Sequence, residues 1–117
     1  MQRGDIYLVD LEPVRGSAAN KTRPAVLVSN NAANRTAQRN GRGVVTVVPV
    51  TSSVARIYPF QVAIAAGEAG LALDSKAQAE QVRSIDYARL GQRLGALNAG
   101  TVRRLDEALR IHLALSP

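Results

Sequence analysis

The run of residues at positions 44–51 constrains the fold most, because its sequence, VVTVVPVT, is β-branched almost without interruption. β-Branched side chains fit the pleated, half-buried surface of a sheet better than the crowded surface of a helix. We therefore predict a strand over residues 44–51, with Pro49 marking a bulge or an edge near its end. The rest of the chain must be arranged around this strand.

Shorter apolar runs on both sides of it predict further strands. Residues 5–11 are apolar on both faces, which indicates a central strand or one at a subunit interface, and residues 24–29 form a buried strand that begins at a proline. Residues 60–65 follow a short connection, so we expect them to run antiparallel to the 44–51 strand. Two more strands are expected at 78–85 and 92–97, and helical turns at 32–37 and 86–90.

The hydrophobic period changes to that of a helix after residue 97. Apolar residues now recur on one helical face: Val102, Leu105, Leu109 and Leu113. Asn98 is the predicted N-cap of this amphipathic helix, and Asp106 is expected to pair with Arg110 one turn later. With 117 residues the chain has room for one hydrophobic core, so we expect one domain over residues 1–117. The order of elements predicts an α+β fold, a small twisted β-sheet or barrel with short helices and a C-terminal amphipathic helix.

The net charge of +6 arises from 15 Lys and Arg residues against 9 acids, and only two of the 15 are lysines. Guanidinium groups bind phosphates through a planar fork of donors, so this balance favours a nucleic acid partner, although a basic surface that merely keeps a protein soluble has the same composition.

Without cysteine, and with His112 as the one histidine, the chain has no thiolate or histidine-cluster metal site, whereas oxygen ligands for a metal stay possible. The lack of a long apolar segment predicts a cytoplasmic protein without a membrane span.

Two polar segments are candidates for a phosphate-binding site. Arg23 precedes Pro24, which restricts its backbone to extended conformations and fixes the direction in which the guanidinium leaves the strand. Thr51, Ser52 and Ser53 follow the 44–51 strand, where their hydroxyls could donate to a phosphate oxygen or position a ribose 2′-hydroxyl. The alternatives are an arginine that caps a loop or pairs with an acid, and hydroxyls that satisfy the backbone of a turn.

Other charged and polar residues allow more than one interpretation. Glu80, beside Gln81, is either a buried anchor or an acid of the site, and His112 is expected to have a surface or packing role on the terminal helix. Four arginines could follow an RNA backbone or simply be solvated: Arg35, Arg39, Arg42 and Arg56.

Four motifs, in order along the chain, resemble the successive signatures of the MazF/PemK family of bacterial toxins. They are RGDI at 3–6, GS at 16–17 with KTRPAV at 21–26, VPVT at 48–51 with YPF at 58–60, and EQVRSI at 80–85. Each motif alone is weak evidence for the family, but four motifs in the family's order are specific evidence. Together they span nearly the whole chain.

The resemblance implies an SH3-like or CcdB-like β-barrel, a homodimer, and a toxin that needs no cofactor or metal and cuts single-stranded mRNA at short sequences. It also implies a partner, a MazE-like antitoxin with an acidic tail. The family's catalytic arginine and threonine correspond to Arg23 and Thr51. Substrate contacts are expected at five further positions: Lys21, Ser52, Ser53, Arg56 and Gln81.

The chemistry that the resemblance implies is attack of the ribose 2′-hydroxyl on the adjacent phosphorus, which leaves a 2′,3′-cyclic phosphate and a 5′-hydroxyl. This step requires alignment and stabilisation of the extra negative charge on the phosphoryl oxygens. Because a guanidinium stays protonated at neutral pH, arginine is a poor general base. Arg23 is therefore assigned chiefly to charge stabilisation, with proton delivery to the leaving group as an open second role.

One position departs from the family pattern. Ala18 stands where the family typically has a glutamate, so a carboxylate that could orient Arg23 is missing and activity is expected to be reduced; an engineered attenuation and natural variation both explain this. The alternative function is that of a non-catalytic binder, either a CcdB-like gyrase-binding toxin or an RNA-binding module. The absence of tryptophan argues against gyrase binding, because CcdB-like toxins act through a tryptophan-containing tail.

Overall fold

The computed structural model describes residues 1–11 and 22–116. The strands in this part of the chain are β1 (Asp5–Asp10), β2 (Thr22–Leu27), β3 (Val44–Thr51), β4 (Gln61–Ile64), β5 (Ser75–Gln78), β6 (Arg83–Asp86) and β7 (Leu90–Ala96). The helices are α1 (Asn31–Asn40) and α2 (Ala99–Leu113), with single 3₁₀ turns at Glu68–Gly70, Ala79–Gln81 and Tyr87–Arg89. The predicted α+β fold with a C-terminal helix is confirmed.

The strands form an antiparallel sheet in the order β4-β5-β3-β2-β1-β7, and β6 pairs with β3. As its two apolar faces predicted, β1 is paired on both sides. Among the described residues, β4 and β7 do not pair, so the sheet is not closed into the predicted barrel.

Strand β3 organises the sheet, because one of its sides pairs with two different strands. Its first half pairs with β6 and its end with β5, and Pro49, which has no N–H to donate, falls between them. Strands β5 and β6 use registers along β3 that differ by three residues, and the 3₁₀ turn Ala79–Gln81 takes up the difference. The prediction of one continuous strand over 78–85 is therefore wrong.

The predicted antiparallel pairing of residues 60–65 with β3 is also wrong. β5 lies between β3 and β4 and pairs antiparallel with both, so β4 runs in the same direction as β3. The connection over residues 52–60 crosses β5, and the Lys76 Nζ donates a hydrogen bond of 2.7 Å to the Arg56 carbonyl at the crossing. The sequence predicts antiparallel pairing because a short connection usually joins two neighbouring strands, and it does not reveal that the connection crosses β5.

The two faces of the sheet pack into two apolar clusters, because successive side chains of a strand point to opposite faces. One cluster is covered by α2 and contains Ile6, Val26, Val48, Val50, Leu105 and Leu109. The other includes Ala37 of α1 and contains Val9, Leu11, Ala25, Leu27, Val45 and Val47. Leu113, predicted to pack on the sheet, is 49% exposed because α2 continues one turn past this cluster.

Asparagine side chains cap the starts of both helices, and a glycine ends α1. Asn98 caps α2 as predicted, its Oδ1 accepting from the Thr101 N–H at 2.8 Å. Helix α1 is longer than the predicted turn at 32–37, because Asn30 caps its start and Gly41, at a φ of 67°, ends it. Neither helix in the described part of the chain is long and apolar enough to span a membrane.

The predicted pairing of Asp106 with Arg110 is wrong. The Asp106 Oδ1 lies 2.8 Å from Nη1 of Arg3, which precedes β1, and Arg110 instead contacts Glu107 at 3.3 Å. Because Arg3 also donates to the Val28 carbonyl at 2.8 Å, this contact joins the chain start, the end of β2 and helix α2.

Candidate functional site

Arg23 and Thr51 lie on neighbouring strands and on the same face of the sheet. Arg23 is the second residue of β2, within the strand, whereas the sequence placed it just before the strand. In the β2–β3 ladder Ala25 faces Pro49, and the same register continued by two residues places Arg23 opposite Thr51. Residues opposite each other in an antiparallel pair share a face and lie within side-chain contact distance. The Arg23 side chain is exposed, and no hydrogen bond or ion pair within residues 1–11 and 22–116 occupies it.

The row of side chains on this face continues onto β5, where Lys76 is the partner of Thr51. Lys76 is only 8% exposed, which is rare for a lysine. Lys76 is not predicted from the sequence, where its only signal is that it is one of two lysines in an arginine-rich chain. Within the described residues, the row therefore combines an unpaired guanidinium, a hydroxyl and a largely buried lysine on three adjacent strands.

Thr51, the last residue of β3, and Ser52, the residue after it, line a groove. The Thr51 Oγ1 accepts a hydrogen bond of 3.2 Å from the Ser53 N–H, so the expected turn-stabilising role is present while the Thr51 O–H stays available as a donor. Ser52 and Ser53 are exposed. The groove has a volume of about 210 Å³ and is lined by Pro24, Thr51, Ser52, Leu71, Leu73 and Ser75.

Arg56 lies on the connection between β3 and β4, residues 52–60, here called the arm. The Arg56 Nη1 donates to the Tyr58 Oη at 3.2 Å, and the Tyr58 ring stacks on Phe60 with centroids 5.3 Å apart. The Lys76 Nζ binds the Arg56 carbonyl and lies 5.9 Å from the centroid of the Tyr58 ring. The structure therefore places Arg56 over β5, the strand that pairs with the end of β3 at Thr51.

Glu80 is linked to the arm through a glutamine. Its Oε2 accepts a hydrogen bond of 2.6 Å from the Gln61 Nε2, and the Gln61 Oε1 accepts from the Tyr58 N–H at 3.1 Å. The Glu80 Oε1 is buried and has no hydrogen-bond partner among the described residues. These contacts favour the anchoring role for Glu80. Gln81, by contrast, is exposed on the 3₁₀ turn and does not belong to the row.

Two arginines hold the end of β1, the strand that pairs with the start of β2. The Arg83 Nη2 donates to the Leu11 carbonyl at 2.6 Å, and the Arg89 Nη1 donates to the Asp10 carbonyl at 3.2 Å. Both guanidinium groups lie near the segment that carries Arg23, because Asp10 faces Thr22 in the ladder. Arg83 adds to the positive charge at this end of the sheet, whereas the Arg89 guanidinium is paired with the Asp10 carboxylate at 3.7 Å.

Several predicted site residues lie elsewhere. Ala18 and Lys21 fall outside the described residues. Arg35 and Arg39 are exposed on α1, Arg42 follows it, and His112 is exposed near the end of α2. Within residues 1–11 and 22–116, no three His, Cys, Asp or Glu residues are grouped closely enough to hold a metal ion.

Tyr7, on β1, lies on the same face of the sheet as Arg23 and is opposite Ala25 of β2. Burial, and secondarily the Asp5 carboxylate, raises the pKa of Tyr7 above its ordinary value. Its hydroxyl is therefore protonated at neutral pH and can donate but cannot act as a base. The Arg93 Nη2 donates a hydrogen bond of 3.2 Å to the Asp5 Oδ1, and this contact raises the pKa of the exposed Arg93, which keeps that guanidinium charged.

Comparison with known proteins places this arrangement in a family. A family model described as PemK-like, MazF-like toxin of type II toxin–antitoxin systems matches residues 2–113. The chain is 58% identical, over 98% of both sequences, to the endoribonuclease MazF9 of Mycobacterium tuberculosis. It is 35% identical to the endoribonuclease EndoA of Bacillus subtilis, over 98% of this chain and 96% of EndoA.

Solved structures give the same result. An endoribonuclease in complex with its cognate antitoxin, from a mycobacterial species, superimposes with a TM-score of 0.79 at 26% identity, covering 100% of this chain and 98% of that one. A MazE–MazF complex from Deinococcus radiodurans has the same TM-score at 25% identity, covering 99% of this chain and 97% of that one. The resemblance seen in the four sequence motifs is confirmed, and the chain belongs to the PemK-like, MazF-like family of type II toxin–antitoxin toxins.

Proposed function

We propose that this chain is an endoribonuclease toxin that cuts single-stranded RNA at short sequences without a metal ion. The observation that carries the proposal is that the exposed Arg23, unpaired within the described residues, lies opposite Thr51 at the end of one face of the sheet. The relatives of the chain are endoribonucleases. Arg23 and Thr51 can bind one phosphodiester group from two sides.

In the proposed reaction the ribose 2′-hydroxyl attacks the adjacent phosphorus, the bond to the 5′-oxygen of the next nucleotide breaks, and a 2′,3′-cyclic phosphate forms. Arg23 stabilises the charge that develops on the non-bridging oxygens, because its fork of donors fits two phosphoryl oxygens. The Thr51 hydroxyl donates to the same group and fixes its orientation. Lys76 and Arg83 raise the positive potential around it.

The substrate is held by residues beside this pair. Ser52, Ser53 and Arg56 lie on the arm next to Thr51 and offer donors to the RNA backbone, and Lys21 and Gln81 are further proposed contacts. The chain has only three tyrosines and one phenylalanine, so base recognition relies mainly on hydrogen bonds rather than on stacking.

The charge distribution supports an acidic protein partner as well. Residues 13–67 contain seven cations and no acid, whereas the other residues contain eight cations and nine acids. We propose that a MazE-like antitoxin with an acidic tail binds this basic half and covers Arg23. Both partners are proposed to meet in the cytoplasm.

The active form is proposed to be a homodimer. Three large aliphatic residues at the end of α2 are about half exposed: Ile111 at 48%, Leu113 at 49% and Leu115 at 58%. Leu113 and Leu115 line the same surface hollow, and exposed aliphatic side chains that lie together are typical of a subunit interface.

Incubating purified protein with a long single-stranded RNA in EDTA, followed by gel analysis and end-group mapping, tests the function. We expect cleavage that leaves 2′,3′-cyclic phosphate and 5′-hydroxyl ends. A gel shift without cleavage would indicate an RNA-binding module, and inhibition of gyrase without RNA binding would indicate a CcdB-like toxin.

The Ala18→Glu variant belongs in the same assay, because it restores the carboxylate that the family typically carries. We expect its initial cleavage rate to exceed that of the original chain. Ala19→Glu changes the charge equally at the adjacent position and should give no gain. An equal rate for Ala18→Glu and the original chain would contradict the attenuating role of Ala18.

A further inference from the structure

We propose that Lys76 is a positioning residue that holds the arm, residues 52–60, in the conformation that binds RNA. The inference rests on the proposed function and extends it to a residue that does not itself touch the substrate. Lys76 faces Thr51 across the β3–β5 ladder, and its ammonium reaches the arm that carries Ser52, Ser53 and Arg56.

The contacts of Lys76 are unusual for a buried lysine. Its Nζ donates to the Arg56 carbonyl at 2.7 Å and lies 5.9 Å from the centroid of the Tyr58 ring. None of the ion pairs among the described residues includes Lys76. A buried ammonium is normally paired with a carboxylate, because the loss of hydration is costly. Here a carbonyl dipole and the negative face of an aromatic ring replace the carboxylate, and the positive charge is not cancelled.

The atoms that bind Lys76 connect directly to the predicted RNA contacts. Tyr58 accepts from the Arg56 guanidinium at 3.2 Å and stacks on Phe60, so the ammonium, both rings and the guanidinium form one cluster. Gln61 holds the same part of the arm through the Tyr58 N–H. An aliphatic side chain at position 76 could fill the space below the arm but could not fix its carbonyl. The lysine therefore determines where the Arg56 guanidinium lies relative to Thr51.

The test compares Lys76→Met, which removes donor and charge, with Lys76→Arg, which keeps both. For an RNA oligonucleotide built on a mapped cleavage site, we expect Lys76→Met to raise KM about tenfold while kcat changes less than about twofold, and Lys76→Arg to recover most of the loss. Arg103→Met removes one positive charge from an exposed position of α2 and serves as the matched control, with KM unchanged. A folded Lys76→Met variant with unchanged KM would overturn the proposal.

Two further measurements separate this proposal from the proposed function. A 2′-O-methyl oligonucleotide of the same sequence binds without being cut, so its affinity reports on the arm even if the original chain does not cleave RNA.

Because the chain has no tryptophan, tyrosine emission is measurable, and Lys76→Met should change it in the original chain but not in a Tyr58→Phe background. An unchanged emission would contradict the contact. If Lys76→Met does not fold, Lys76→Gln, which keeps a donor without the charge, replaces it, and an affinity and KM equal to those of the original chain would overturn the proposal.

Discussion

At the residue scale, the site depends on two side chains whose backbone positions are fixed by ordinary sheet geometry. Pro24 keeps Arg23 extended, and the β2–β3 register brings it opposite Thr51. Neither residue needs an unusual backbone conformation, since neither has a positive φ. The specific feature is that the Arg23 guanidinium has no partner within the described residues and is free to bind phosphate.

Replacing Thr51 with valine tests the hydroxyl alone, because valine keeps the shape and the β-branched preference for a strand. We expect kcat for RNA cleavage to fall about 10- to 100-fold, the usual effect of losing a hydrogen bond to a charged group. Thr51→Ser keeps the hydroxyl and should retain most of the activity. Similar kcat values for the valine and serine variants would contradict a role for the hydroxyl.

The sequence was sufficient to find Arg23 and Thr51 but not Lys76. The first two are marked by a proline and by the end of a β-branched run, which are local signals. Lys76 becomes notable only because β5 inserts between β3 and β4 and buries it beside Thr51. Its role depends on a contact with Arg56, 20 residues away in the chain, which no local pattern records.

At the scale of elements, most strands and both helices were predictable, whereas strand pairing was not. The β-branched run located β3, and apolar patterns located β1 and α2, because these elements bury one or both faces. The break between β5 and β6 depends on two registers along β3, and the position of β4 depends on the arm crossing β5. Both are long-range consequences of packing rather than of local sequence. The length of α1 was in principle visible, since Asn30 and Gly41 are strong end signals.

The contact between β7 and the 3₁₀ turn at Glu68–Gly70 gives a prediction at this scale. A Cβ added to Gly95 would lie 2.6 Å from the carbonyl carbon of Ala69, which is backbone and cannot easily move. We expect Gly95→Ala to lower the free energy of unfolding by about 1–3 kcal/mol, measured by urea denaturation. Gly100→Ala, in the first turn of α2, meets only the ends of flexible side chains, those of Asn98, Arg103 and Arg104, and should be neutral or stabilising. Equal stability of the Gly95→Ala variant and the original chain would contradict this packing.

At the scale of the whole molecule, the net positive charge comes from one stretch of the chain, residues 13–67. Exposed aliphatic residues lie at the end of α2 and also at Val44, Ile57 and Leu73. The positive stretch suits a polyanion or an acidic protein segment, and the end of α2 suits another copy of the chain.

Replacing Leu113 with glutamate places a charge in the aliphatic patch at the end of α2. We expect the protein to sediment as a monomer in analytical ultracentrifugation, because an unpaired carboxylate is costly to bury at an interface. Val44→Glu changes an exposed aliphatic residue outside α2, on β3, and should leave the dimer intact. A Leu113→Glu protein that remains dimeric would show that α2 does not form the interface.

The central claim, that Arg23 and Thr51 form an RNA-cleaving site, is tested most directly by Arg23→Ala. The measurement is the cleavage rate of a mapped RNA site in EDTA, together with the thermal unfolding midpoint of the same preparation. The account predicts that cleavage is lost while Tm stays within about 2 °C, because the exposed guanidinium makes no contact within the described residues. A folded Arg23→Ala protein that cuts the RNA at the original rate would contradict it.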